Sequence, residues 1–156
     1  MRYFYNYLED LCRKNVDISH SDTDKHYFRG ELEEFYVDLR NKVSFPCVVA
    51  ESFELSWTNV GKNRECSFIV CAAYRESKNW DLIYDAMTLC EQIGDEFLRR
   101  MVFDSEAGDF CGCIEPVSAT PLLNEQRLYV GMRYTLRVNQ EFNEDVFADK
   151  WTDLYE

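Results

Sequence analysis

The chain has 156 residues, a formal net charge of −12 and a hydrophobic content of 46%. That length suits one domain with a sizeable core, and that hydrophobic content argues against disorder. The acidic charge argues against general binding to nucleic acid or to an anionic membrane surface. No apolar run approaches a membrane span, and Glu9 and Asp10 interrupt the N-terminus where a signal peptide would stay apolar, so we expect a cytoplasmic protein.

Cysteine usage indicates free thiols in a reducing compartment. The number of cysteines is odd, and most of them lie within apolar patterns, where a thiol behaves as a small hydrophobic group. A chain of this length also has enough core to fold without disulfides. The seven residues are Cys12, Cys47, Cys66, Cys71, Cys90, Cys111 and Cys113.

Residues 1–43 predict two short amphipathic helices with a polar loop between them. The first helix has a single apolar stripe at helical spacing, formed by Phe4, Tyr7, Leu8 and Leu11. The second repeats that spacing with Leu32, Phe35, Tyr36 and Leu39, and has acidic residues at its start, where the helix dipole favours them. The loop, residues 18–30, contains both histidines.

Two strands are predicted next. From Phe45 to Trp57 the odd positions are mostly apolar and the later even positions are small or polar, which is typical of one half-buried strand. Residues 59–63 supply a turn. The run from Cys66 to Tyr74 is apolar on both faces, so we expect a central strand that is antiparallel to the first.

The strongest helix signal covers residues 79–102. Its apolar stripe comprises Trp80, Ile83, Tyr84, Met87, Cys90, Ile93, Phe97, Leu98 and Met101. Asn79 suits the N-cap, and Arg99 and Arg100 suit the last turn. Gly94 lies within the stripe, which indicates a close approach of the helix to the sheet.

The remaining strands follow this helix. A short strand from Phe110 to Val117 is expected to end near Pro116. The last strand alternates clearly between residues 127 and 138. One of its faces is apolar, whereas the other contains Arg127, Arg133 and Arg137.

These elements predict one α+β domain over residues 1–156. We expect a mixed, mainly antiparallel sheet packed by one long helix, with two short N-terminal helices, in a two-layer sandwich. Residues 1–43 hold the N-terminal helices and loop, residues 44–139 the sheet and long helix, and residues 140–156 an acidic, aromatic tail.

Residues with catalytic potential are few, and we expect no catalytic residue, cofactor or metal ion. His20 and His26 are the only neutral-pH bases, and we expect both to be solvated in the polar loop. Cys111 and Cys113 are the one close cysteine pair, which supplies at most two metal ligands, so we interpret them as two buried small residues. An enzyme or a thiol or metal site built from these residues is the least favoured alternative.

The arginine face of the last strand has two interpretations. Arg127, Arg133 and Arg137 can pair across strands with glutamates such as Glu51 or Glu54. Alternatively, they form a basic stripe that contacts an acidic surface of a neighbouring copy. The tail contains aromatic residues among its acids and can dock on its own domain or on a partner. The candidate interface residues are therefore Arg127, Arg133, Arg137, Phe142, Phe147 and Trp151.

Several segments together resemble a known family. They are DAMTLCEQIGDEFLRRM (residues 85–101), the pair FPCVVAESFELSW and CSFIVCAAY, and the late strand RLYVGMRYTLRV with its polar, aromatic exit. Over roughly residues 31–143 the chain resembles the tail-terminator and tail-completion proteins of long-tailed bacteriophages and prophages, especially those of Bacteroides-type genomes.

The resemblance implies a structural role without chemistry. Such proteins form rings, often hexameric, that cap the tail tube and present a surface for joining the head. The implied partners are further copies of the chain, tail-tube proteins and head-tail connector proteins, with no nucleic acid and no membrane. The implied location is the bacterial host cytoplasm or the virion tail. The alternative is a small cytoplasmic bacterial α+β domain, monomeric or dimeric, that binds another protein.

Overall fold

The structure is a computed structural model that describes residues 2–30, 44–59, 61–107 and 113–141. In these ranges it contains two helices and six strands. In chain order they are α1 (Arg2–Lys14), β1 (Tyr27–Arg29), β2 (Cys47–Ala50), β3 (Glu54–Trp57), β4 (Gly61–Ala73), α2 (Trp80–Glu106), β5 (Cys113–Asn124) and β6 (Tyr129–Glu141). The second predicted N-terminal helix and the tail from residue 142 lie outside the described residues.

The strands form one mixed sheet in the order β1-β2-β4-β6-β5, and β3 pairs with β4 beside β2. β1 and β2 are parallel, whereas all other pairs are antiparallel. The longest ladder joins β4 to β6, from Gly61 opposite Glu141 to Ala73 opposite Tyr129. The predicted α+β class, with a mainly antiparallel sheet and one long helix, is confirmed.

The main core lies between the sheet and the two helices. Both helices contribute buried residues to it, and the sheet contributes alternate residues of β2, β4 and β6. Phe68 and Tyr134 stack in this core with ring centroids 5.3 Å apart. A smaller apolar cluster on the opposite sheet face contains Cys47, Val49, Ile69 and Cys71. In the described ranges, neither helix is both long enough and apolar enough to cross a lipid bilayer.

The alternation predicted for the last strand is confirmed within β6. Val130, Met132, Tyr134, Leu136 and Val138 are buried on the helix side. The other face contains Arg133 and Arg137. This pattern is clear because helices cover one face of β6, which requires apolar residues at every second position.

The single half-buried strand predicted from Phe45 to Trp57 is wrong. The chain forms β2 and β3 with a break at residues 51–53, and all four residues of β2 are buried. β2 lies between β1 and β4 and contributes to both apolar clusters, so its two faces are equally apolar. The predicted antiparallel pairing with the next strand is confirmed.

Helix α2 extends beyond its predicted end. Asn79 is the N-cap as predicted, because its side chain accepts a hydrogen bond from the Leu82 backbone N–H. The helix continues to Glu106, so Arg99 and Arg100 do not lie in its last turn. Trp80 and Tyr84, which the sequence placed in the buried stripe, are exposed.

Gly94 explains how closely α2 approaches the sheet. A Cβ atom at this position would lie 2.0 Å from Cε2 of Tyr134, far inside van der Waals contact. The Tyr134 hydroxyl passes beside the helix backbone and donates a hydrogen bond to the Glu91 carbonyl at 2.9 Å. The interpretation of Gly94 as a point of close packing is therefore confirmed.

Strand β5 is an edge strand that tolerates two prolines. The prediction that this strand ends near Pro116 is wrong, because it continues through an irregularity between Pro116 and Ser118 to Asn124. Ile114, two residues before Pro116, donates its backbone N–H to Ser105 Oγ at 3.3 Å, away from β6. The register gives Pro116 and Pro121 the same orientation, so neither proline removes a hydrogen bond from the β5–β6 ladder.

Candidate protein-interaction surfaces

The Arg133 side chain is held within its own chain. Its Nε donates to Glu51 Oε1 at 2.7 Å and its Nη2 donates to Glu51 Oε2 at 3.0 Å. The Glu51 side chain is only 11% exposed, so this bidentate pair is partly shielded from water. The cross-strand interpretation of the arginine face is confirmed for Arg133. Its contact with a neighbouring copy stays a prediction.

The other two arginines differ in position. Arg137 lies opposite Glu65 of β4 and Glu115 of β5, with nitrogen–oxygen distances of 3.9 and 3.8 Å, longer than hydrogen bonds. Arg127 lies in the turn before β6, where its backbone N–H donates to Asn124 Oδ1, and so it is not on the strand face. Phe142, Phe147 and Trp151 lie outside the described residues.

Both histidines are buried in the loop between α1 and β1, so the expectation that they are solvated is wrong. His20 Nδ1 accepts a hydrogen bond from the His26 backbone N–H at 3.0 Å. His26 Nδ1 lies 2.6 Å from the Pro46 carbonyl oxygen, and its Nε2 lies 3.1 Å from Asp24 Oδ2. Burial, together with the Arg13 charge, lowers the pKa of His20. The histidines therefore join the loop to the segment that enters β2.

The buried thiols are poor nucleophiles. Burial raises the pKa of Cys66 to about 11 and that of Cys90 to about 12, so both remain protonated at neutral pH. Burial, and then the neighbouring Cys71, raise the pKa of Cys47. Cys113 is exposed, which contradicts the expectation of a buried residue, and Cys111 is outside the described residues. Among the described side chains, no group of three or more His, Cys, Asp or Glu residues is arranged to hold a metal ion.

An exposed apolar surface lies where α2 leaves part of β5 uncovered. The β5 residues that share the helix-side face of the sheet are all apolar, and after Ile114 they are exposed. We call this surface and the adjoining flank of α2 the shelf. Its floor is Pro116, Ala119, Pro121 and Leu123, and its wall is Trp80, Tyr84, Glu91 and Asp95.

Contacts of α2 show that this wall lies on the flank of the helix that is directed towards β5. Tyr7 of α1 donates a hydrogen bond to Asp104, which marks the flank of α2 that faces α1. The wall residues follow one helical stripe on the opposite flank, towards β5. Trp80 is 51% exposed, Tyr84 59% and Leu123 41%. The shelf thus combines exposed aromatic and aliphatic side chains with two carboxylates.

A second exposed surface lies at the tip of the β3–β4 hairpin. Trp57 is 62% exposed, and Lys62, its cross-strand partner, has its Nζ 5.9 Å from the Trp57 ring centroid. Leu55 and Arg64 form the next pair on the same face. We call Leu55, Trp57, Lys62 and Arg64 the hairpin tip. It is basic and aromatic, the opposite in charge to the shelf.

Sequence reasoning identified neither surface. The period of β5 was obscured by its two prolines, and Trp80 and Tyr84 follow the helical stripe that normally marks a core. Trp57 follows the same period-two pattern as buried strand residues, so no local pattern reveals its exposure. Neither the models of protein families nor the curated proteins include a match to this chain.

Proposed function

We propose that this protein is a non-enzymatic structural subunit of a phage or prophage tail, a tail-terminator or tail-completion protein that forms a ring. It acts in the bacterial host cytoplasm and in the virion tail. Its partners are other copies of itself, tail-tube proteins and head-tail connector proteins. The observation that carries the proposal is the presence of two surfaces with exposed aromatic side chains and opposite charge, the shelf and the hairpin tip, on one small acidic domain.

Exposed aromatic surface favours a role in protein contacts. Trp57, Trp80 and Tyr84 are each more than half exposed. Large contiguous apolar patches on the surface of a protein usually mark interaction sites. A ring further requires two different surfaces that complement each other, since a heterologous contact must close on itself. The shelf and the hairpin tip differ in shape, position and charge, as such a contact requires.

The distribution of reactive groups favours a role without chemistry. His20 and His26 lie among backbone and side-chain partners that fix the loop, and burial keeps the Cys66 and Cys90 thiols protonated. In the described part of the chain these groups therefore act as structural contacts.

The arginine face and the tail belong to the same proposal. Arg137 keeps about a third of its side chain exposed and has only long contacts to its two carboxylates. Its guanidinium can therefore also meet an acidic group of a neighbouring subunit. We propose that Arg137 and the segment with Phe142, Phe147 and Trp151 add to the contacts between subunits.

Light scattering on a sizing column tests this function. The protein should be run over a wide concentration range, at a low and at a high salt concentration. We expect one discrete, ring-sized species that dissociates at a higher protein concentration when salt is added, because salt screens the attraction between oppositely charged surfaces. A strict monomer under all conditions would contradict the ring and favour the small protein-binding domain.

A further inference from the structure

We infer that neighbouring subunits in the ring meet through one heterologous contact, in which the hairpin tip of one copy packs on the shelf of the next. Trp57 would cover the apolar floor formed by β5, and Lys62 would lie beside the carboxylates of the wall. This inference rests on the proposed function, because it specifies how the ring closes.

Charge complementarity identifies the occupant of the shelf as a second copy of this chain. The wall presents the exposed Glu91 and Asp95, whereas the hairpin tip presents the half-exposed Lys62. With a net charge of −12, two copies repel each other at long range, and a contact that joins surfaces of opposite sign offsets that repulsion. The tip on the shelf is such a contact, and both of its members also offer exposed aromatic side chains.

The edge of β5 indicates that the contact uses side chains rather than an added strand. The outward-facing backbone positions of β5 include Pro116 and Pro121, which have no N–H, and Ile114, whose N–H is already bonded to Ser105. A strand added at this edge would therefore lack backbone N–H partners at several positions along β5. Packing on the helix-side face of β5 needs no such donors and buries the exposed apolar floor.

The positions of the two surfaces suit a closed ring. The hairpin tip lies on the β3 side of β4, whereas β5 forms the opposite edge of the sheet. The hairpin tip is also near the end of β6, because Lys62 pairs with Gln140. Trp80, by contrast, begins α2 near the start of β6. The Tyr74 backbone N–H, shortly before α2, donates a hydrogen bond to the carbonyl of Leu128, the residue before β6. The two surfaces thus lie on opposite sides of β6, and the Trp80 end of the shelf lies towards the other end of that strand from the hairpin tip.

Charge reversal tests this contact. Lys62→Glu and Glu91→Lys change exposed or half-exposed side chains, so both variants should fold, which far-ultraviolet circular dichroism and a thermal melt would verify. Lys25→Glu and Asp17→Lys are the matched controls, because they make the same charge changes at exposed positions away from both surfaces. Trp57→Ser tests the apolar part of the contact without a change in charge.

Each of the three interface variants should raise the dissociation constant of the assembly at least about tenfold, as measured by light scattering over a dilution series. The controls should leave it within about twofold. Mixing Lys62→Glu with Glu91→Lys should restore assembly, because each reversed surface then finds a reversed partner. The double variant that contains both changes should assemble for the same reason.

The outcomes separate this contact from the ring itself. If the unchanged protein assembles and the interface variants assemble as well as the controls do, this contact is wrong while the proposed function stands. If the single variants dissociate but neither the mixture nor the double variant recovers, the pairing of Lys62 with Glu91 is wrong. A strictly monomeric unchanged protein would overturn both the contact and the ring.

Discussion

The His20 side chain connects solution pH to the fold. Its Nδ1 accepts the His26 backbone N–H, so its own proton must reside on Nε2, which lies 3.5 Å from Glu9 Oε1. A second proton on Nδ1 would break the bond to His26. Burial lowers the pKa of His20, which has the same effect of favouring the neutral ring in the folded state.

We predict that the free energy of unfolding decreases as the pH falls below about 6.5, the value for an unperturbed histidine. Between that value and the lowered folded pKa, the unfolded chain binds more protons, so stability increases with pH in this window. The contribution is complete above about pH 6.5 and is lost as the pH falls through the folded pKa. Urea denaturation across this range should show this slope.

His20→Gln is the matched variant for this measurement. Its amide oxygen can still accept a hydrogen bond from a backbone N–H, but the side chain does not titrate. The variant should therefore show a smaller loss of stability on acidification. Equal slopes for the two proteins would show that other groups cause the effect.

The pair of Arg133 and Glu51 shows what a sequence can indicate at single residues. The alternation of β6 and the presence of glutamates near Trp57 were enough to name this pair as one possibility. Its geometry depends on β4, which lies between the two residues and carries Ser67, whose carbonyl bonds to the Glu51 backbone N–H. No periodicity in the sequence specifies such a contact across three strands.

The contact between α2 and β6 depends on one glycine. We predict that Gly94→Ala lowers the free energy of unfolding, because the new methyl group would overlap the Tyr134 ring. Overpacking a core costs typically about 1–3 kcal/mol, and alanine's better helix propensity recovers about 1 kcal/mol of that. A separation of 2.0 Å from a buried ring places the cost in the upper part of that range, about 2–3 kcal/mol, so the net loss should be about 1–2 kcal/mol, measured by urea denaturation.

An exposed position in the same helix provides the control. Gln92→Ala adds a similar helix former without any contact to the sheet and should stay within about 0.5 kcal/mol of the unchanged protein. If Gly94→Ala is as stable as this control, the close packing of Gly94 against Tyr134 is wrong.

The elements were predictable where one face of an element meets the core. β6 and the central part of α2 have that environment, and their periods are clear. β2 is covered on both faces and β5 is exposed over most of its length, so neither has the period-two pattern of a half-buried strand. β1 has three residues, which are too few to show a hydrophobic period. Its parallel pairing with β2 is set by tertiary structure.

At the scale of the whole molecule, the prolines of β5 remove two N–H donors from the outer edge of the sheet. We predict that Pro116→Thr combined with Pro121→Thr produces larger, heterogeneous species, because the outer edge gains two N–H donors and can pair with another strand. Sedimentation velocity would detect these species, which the unchanged protein should not form.

Ser118→Thr is the control for this experiment. It also raises the strand propensity of β5, but its N–H has the opposite orientation to those of the outward-facing positions, so the edge gains no donor. If the double proline variant and Ser118→Thr sediment alike, the prolines do not protect the edge.

The candidate surfaces are properties of the folded domain. Apolar residues in α2 and β5 look like core residues in the sequence. They are exposed because the helix layer does not extend over the whole of β5. The arginines were easier to identify because three of them recur within one short segment of a chain whose acidic residues outnumber its basic ones, 29 to 17. A sequence thus reveals unusual residue types more readily than it reveals where one layer stops covering another.

The ladder between β4 and β6 has a consequence for synthesis of the chain. All of α2 and β5 lies between these strands in the sequence, so β4 emerges from the ribosome well before its main partner β6. At roughly 5–20 residues per second, the delay is on the order of several seconds. During that time β4 has β2 and β3 on one side and an open edge on the other. The nascent chain must pass this interval before its fold, and any surface for joining other copies, is complete.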